Sequence, residues 1–183
     1  MSEKNTLIRS MHDVGLAAWF GGSLMGAVGL NGAAAQASDP TERLQLSSTG
    51  WARWAPVNAA AIGVHAVGGI GLITANRSRV AGQPGARANT LVKAALTVAA
   101  VGLTAYSGKL GRDVNEHSQQ GGKGATEPHE DASPELATAQ QRLQTIQWAI
   151  PAVTGALVIL GAQQGEQQRP QSLLRAQATR LRS

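Results

Sequence analysis

The sequence predicts an all-α fold: a polytopic membrane protein built as a four-transmembrane-helix bundle with both termini cytoplasmic. Three observations predict it. Residues 14–38, 54–76, 94–108 and 143–165 carry no Asp, Glu, Lys or Arg, and three of these stretches reach the roughly 20 residues that an α-helix needs to cross a hydrocarbon core. The basic residues are distributed unevenly between the two sides that such a path defines. The apolar stretches are built from Ala, Gly and Val, with small residues at helical spacing.

The first helix is placed at about residues 14–35, after a tail of residues 1–13. Gly22 and Gly26 form a GxxxG step that Gly29 and Gly32 continue. In lipid such positions let helices approach closely, because packing and interhelical hydrogen bonds replace the hydrophobic effect as the adhesive. The expected use is a contact inside the bundle. The second helix is placed at about 54–75, with Pro56 in its first turn, where a missing N–H costs little, and with Gly63, Gly68, Gly69 and Gly71 along it. The third, at about 90–110, has a short charge-free centre. Lys93 and Lys109 at its ends have stems long enough to carry their ammonium groups to the interfaces. The fourth, at about 143–163, contains Pro151, which is expected to kink it and free a backbone carbonyl. Residues 136–147 resume helical patterning and are expected to project this helix beyond the membrane. Together these elements define a transmembrane domain over residues 14–163.

The connections carry the orientation. The N-terminal tail, residues 76–93 and the C-terminal tail share one side and hold ten of the 16 Lys and Arg residues, whereas the 36–53 and 107–142 segments hold more acids than bases. Basic residues are retained in the cytoplasm during insertion, so both termini are expected there, in a multi-pass protein of the plasma membrane. The pI of about 10.4 has the same origin. With the charge spread over juxtamembrane positions, the expected partner is anionic lipid headgroups and not nucleic acid. A mean hydropathy of -0.11 reflects dilution by hydrophilic loops and tails. A soluble bundle of alanine-rich helices is the rival, but a soluble helix alternates a polar face with its apolar face. Residues 59–75 contain one ionisable side chain, His65.

The outer loop, residues 111–142, is expected to be partly mobile, since 119–133 is rich in Gly, Pro, Glu and Gln. It holds His117, His129, Asp113, Glu116, Glu127, Glu130 and Asp131, which are ligand types for a divalent cation but match no known site spacing. In the basic tail, residues 164–183, Leu173, Leu174, Ala178 and Leu181 share a helical face beside Arg175, Arg180 and Arg182. That pattern fits an amphipathic segment lying on the inner leaflet.

Zero cysteines removes disulfides and thiolate catalysis. No GxxxxGK[ST], HExxH or GxSxG motif occurs, and the chain is read as non-enzymatic. The deepest ionisable side chain is His65, near the middle of its stretch, where a titratable group warrants a functional hypothesis. Ser23, Met25, Thr97, Thr104 and Thr154 are expected at about its depth. His65, Met25, Thr104 and Thr154 are therefore the candidate ligand or proton site, with imidazole and thioether suited to copper or haem iron. A neutral His65 that hydrogen-bonds and orders the bundle is the plainer reading. His12, Asp13 and Lys93 form a candidate cytoplasmic mouth, with Asp13 favoured at a helix N-terminus or paired with Lys93 or Arg9. His12 is expected about 15 Å of helical rise from His65 in depth.

Residues Met11, His12, Asp13, Val14, Gly15, Leu16, Ala17, Ala18, Trp19, Phe20, Gly21 and Gly22 resemble the first helix of the copper-resistance-D type of bacterial membrane domain. The resemblance covers this dozen residues. It implies an integral membrane protein in which His12 contributes to metal handling or haem-like chemistry, although the chain has no methionine-rich or histidine-rich copper-loading segment. Three functions follow: a structural or accessory subunit of a membrane assembly, with a membrane-protein partner or a second copy as its mate; a proton or metal-ion transporter using His65; and a haem-binding or redox membrane protein. No whole-chain internal repeat is evident.

Overall fold

The computed structural model describes residues 3–167, and these are helical except for short connections and one loop. The basic C-terminal tail, from residue 168 onward, lies outside the described residues. Helix α1, Glu3–Met25, runs on through a π-helical turn, Gly26–Leu30, into α2, Asn31–Ala34. Then come α3, Pro40–Ala75, α4, Arg77–Gly82, α5, Pro84–Glu116, and α6, Pro134–Gln167, with a 3-10 turn at Ser118–Gln120 before α6.

Among the described residues, four helices are long and apolar enough to cross a membrane, with spans at Thr6–Ala34, Pro40–Ala75, Pro84–Glu116 and Pro134–Gln163. They start well before the charge-free stretches do. Each of the last three begins with a proline in its first turn, where the ring's fixed φ suits the helix and its missing N–H would have had no partner. Asp39 caps α3 by accepting from the Thr41 N–H at 2.8 Å, with Pro40 following it. Gln83 precedes Pro84, and the Ser133 hydroxyl accepts from Leu136 N at 3.3 Å beside Pro134. Residues 40–53, expected in a loop, are therefore the first turns of α3. Pro56 stands inside that helix and not in its first turn. Pro151 lies inside α6, which continues to Gln167. The hydroxyl of Thr154 donates to Ile150 O at 2.8 Å close to this interruption.

The helices alternate in direction. Helix α1 packs on α3 and α6, while α5 packs on α6 and more loosely on α3, giving the circular order α3, α1, α6, α5. Trp19, Leu16, Leu110, Ile146, Ile150 and Leu157 fill the shared core. Outward, Val14, Met25, Val67, Ile70, Val98 and Ile159 are between 59% and 72% exposed. Apolar surface on this scale is foreign to a soluble monomer and suits lipid.

Toward the end bearing the α2–α3 and α5–α6 connections, the same core continues through Leu44, Val114, Leu136 and Ala139. Residues 117–133 lie against it. Ser118, Ala125 and Thr126 are buried, Gly122 donates to Pro40 O at 3.1 Å, and the fully buried Gln140 donates to the carbonyls of Gly124 and Ala125 at 3.1 and 3.3 Å. A glutamine on the neighbouring helix supplies what the loop's own apolar content cannot. Lys123 and Glu130 pair at 3.0 Å across its exposed edge.

Candidate functional site

The tightest contact in the molecule joins α1 to α3, and two glycines make it possible. A methyl group placed on Gly15 would lie 2.6 Å from Ala61 O and from His65 N. One placed on Gly68 would lie 2.8 Å from both His12 Cα and Ile8 O. These are backbone atoms, so the helices touch main chain to main chain and no side-chain rotation would relieve a larger residue. Farther along, Gly22 lies against the Trp54 ring and Gly26 against the Trp51 ring. The GxxxG step is thus used inside the bundle.

Between Gly15 and Gly68 the structure stacks His12 on His65. Their ring centroids are 4.0 Å apart with planes inclined by 20°. The hydrogen bonding is reciprocal: His12 Nδ1 donates to His65 O at 3.1 Å, and His65 Nδ1 donates to His12 O at 2.9 Å. A carbonyl can only accept, so both Nδ1 atoms carry a proton, and in the neutral rings Nε2 holds the lone pair. Trp19, fully buried, meets His65 edge-on at 6.2 Å. Its indole N–H donates to Thr104 Oγ1 at 3.2 Å, tying α5 to the pair.

The expected 15 Å separation of His12 from His65 is therefore overturned. The charge-free stretches misplace both helix ends. His12 stands nine residues after the start of α1 and His65 ten residues before the end of α3, so antiparallel helices bring them level. The sequence held a signal for this. His12-Asp13-Val14-Gly15 and His65-Ala66-Val67-Gly68 share an H-x-V-G spacing, and each glycine admits the backbone of the other segment's histidine.

The structure brings parts of the two predicted clusters together: His65 with His12, and Thr104 through Trp19. Lys93, half-buried on α5, lies within electrostatic reach of Asp13 and Arg9, and both histidines feel Lys93 and Asp13. Thr104 joins the pair through Trp19. Met25 does not: it is 64% exposed, and its sulfur folds over Gly29 of its own helix. It lies thirteen residues along α1 from His12, about 20 Å of helical rise. Thr154 is fully buried, but its hydroxyl donates to carbonyls of α6. Ser23 likewise donates to Phe20 O of its own helix at 3.0 Å. Among the described residues no three His, Asp or Glu side chains are grouped to hold a metal ion. In the loop, His117 Nδ1 donates to Asp113 O at 2.8 Å.

Toward the loop end lies a cavity of about 770 Å³, on the side where α3 and α5 pack least closely. A chain of hydrogen bonds crosses its wall. Trp51 Nε1 donates to Asn31 Oδ1 at 2.9 Å, Asn31 Nδ2 to Gln147 Oε1 at 2.7 Å, and Gln147 Nε2 to Thr126 Oγ1 at 3.4 Å. The π-helical turn before Asn31 adds one residue to the local winding, which sets where that side chain points.

Comparison of the chain with protein-family models, with curated proteins and with solved structures finds no match.

Proposed function

We propose that this chain is a multi-pass protein of the cell membrane with both termini in the cytoplasm, and that it is a non-enzymatic structural or accessory subunit of a membrane assembly. The observation that carries the reading is the reciprocal bonding of His12 and His65. The two side chains with the widest chemical range at the α1–α3 contact are committed to fixing two helices at one separation. Buried polar groups held by two hydrogen bonds in lipid order a bundle and resist slippage. The excess of Lys and Arg in the terminal tails and the 76–93 segment supports the orientation.

The test of function is cross-linking in the native membrane followed by native electrophoresis and identification of what migrates with the chain. A stoichiometric membrane partner is expected; a lone monomer would refute the subunit reading. Orientation is open to a clean assay because the chain contains no cysteine. Ser38→Cys should react with an impermeant maleimide from outside the cell, and Ser78→Cys only after lysis.

A second reading, proton or metal-ion handling, is favoured by one observation: with Nδ1 donating, Nε2 of each ring is left as the ligand atom. Lys93 and Arg9 near His12 oppose a cation there, with Asp13 as the counterweight. Elemental analysis of the purified protein beside His65→Ala decides it, stoichiometric metal lost in the variant being the supporting result. Rings stacked at 4.0 Å leave no room for a porphyrin between them.

A further inference from the structure

We infer that the cavity between α3 and α5 binds an anionic amphiphile, a molecule with one carboxylate or phosphate head and an apolar body. The volume, about 770 Å³, falls within the roughly 300–1,000 Å³ of small-molecule sites. Its inner wall is apolar, made by Ala55, Ala59, Ile62 and Ile150, while Arg53 and Arg112 line it on facing helices with no Asp or Glu among the lining residues. Both arginines are exposed. Two arginines and no acid on the lining favour an anion, and arginine's fork geometry suits carboxylate and phosphate alike.

Two further features shape the site. Along the wall, Trp51, Asn31 and Gln147 satisfy one another's hydrogen bonds, so this polar edge of the cavity is fixed in place. On the opposite wall Gly108 and Gly111 of α5 have nothing within 4 Å of where a side chain would begin, so α5 contributes space there and no packing. The inference rests on the membrane reading for the route: the opening lies between two spanning helices, at the end assigned to the outer leaflet, where an acyl chain can enter sideways.

The test uses the full chain in nanodiscs of neutral phosphatidylcholine, reading tryptophan quenching by 9,10-dibromostearic acid, by its methyl ester and by a phosphatidic acid with brominated chains. The acid should quench at a mole fraction at least tenfold lower than the ester. Quenching by the acid alone identifies a free fatty acid as the source, and equal quenching by phosphatidic acid identifies a membrane lipid. Gly111→Leu, whose side chain starts in open space on the cavity wall, should abolish the preference, and Arg53→Gln with Arg112→Gln should reduce the acid to the level of the ester, both with unchanged helicity by circular dichroism. Equal quenching by acid and ester, or a preference that survives Gly111→Leu, overturns the site. A preference that survives the arginine substitutions overturns the anionic head. A chain that does not enter nanodiscs refutes the membrane reading instead.

Discussion

The glycine at position 68 gives the sharpest test of how α1 and α3 are joined. Alanine there places a carbon 2.8 Å from His12 Cα and from Ile8 O, whereas carbon contacts ordinarily sit at about 3.5–4.0 Å, so the helices must part by about 1 Å. Both reciprocal hydrogen bonds, now 3.1 and 2.9 Å, would stretch past bonding distance together. Overpacking costs about 1–3 kcal/mol and the two bonds contribute about 1 kcal/mol each, against a gain of about 1 kcal/mol from replacing glycine within a helix. The net expectation is a loss of about 2–4 kcal/mol. Gly63→Ala on the same helix meets nothing within 4 Å and should be neutral or slightly stabilising. Reversible unfolding of the two variants in mixed micelles, followed by far-ultraviolet circular dichroism, makes the comparison. A Gly68→Ala protein as stable as Gly63→Ala would refute the reasoning, because it would mean that the close approach does not hold the pair.

Four further outcomes follow from the same geometry. His12→Ala and His65→Ala should be non-additive, with a coupling of about 1–2 kcal/mol in a double-mutant cycle, since each ring serves the other's backbone. Trp19→Phe should cost about 1 kcal/mol through the lost bond to Thr104, and it should add little to Thr104→Val. Gln140→Leu should leave the helices intact but expose residues 119–133 to limited proteolysis, because the carbonyls of Gly124 and Ala125 lose their donor. The Lys123 ammonium, donating at 3.0 Å, holds the fully exposed Glu130 carboxyl below its ordinary range. Its small stabilisation is present above the unfolded value and lost as pH falls through the folded one. A carboxyl titration by NMR should therefore show a low midpoint that Lys123→Gln returns to normal.

Much of this was legible in the residues. Charge-free stretches located four helices because each is long and apolar enough, at helical rise, to cross a membrane, and the GxxxG step announced a close helix contact. Helix ends were legible too, but in a different signal: Asp39-Pro40, Gln83-Pro84 and Ser133-Pro134 mark starts that hydropathy places up to fourteen residues late. A window of apolar residues reports where lipid could begin, and a helix is free to continue beyond it. That error in the ends carried into the site, since depths counted from the wrong starts separate His12 from His65 and bring Met25 close. The paired H-x-V-G segments were readable only once the antiparallel register was known, because each glycine serves the other segment. The cavity had no sequence signature, because Gly108 and Gly111, which leave space on α5, read no differently from the glycines that pack helices together.

The length of α3 carries a consequence of its own. Its 36 residues extend about 54 Å, well beyond a hydrocarbon core of about 30 Å, so on the membrane reading one helix serves two solvents. Around Leu44 and Leu136 water drives the chain together, and urea or cold should loosen that region. Around Gly15 and Gly68 lipid supplies no such drive, and competing amphiphiles should loosen the contact. Because one continuous core joins Leu16 and Trp19 to Leu44 and Leu136, each agent should weaken the far end as well, so the midpoint in urea should fall as amphiphile is added.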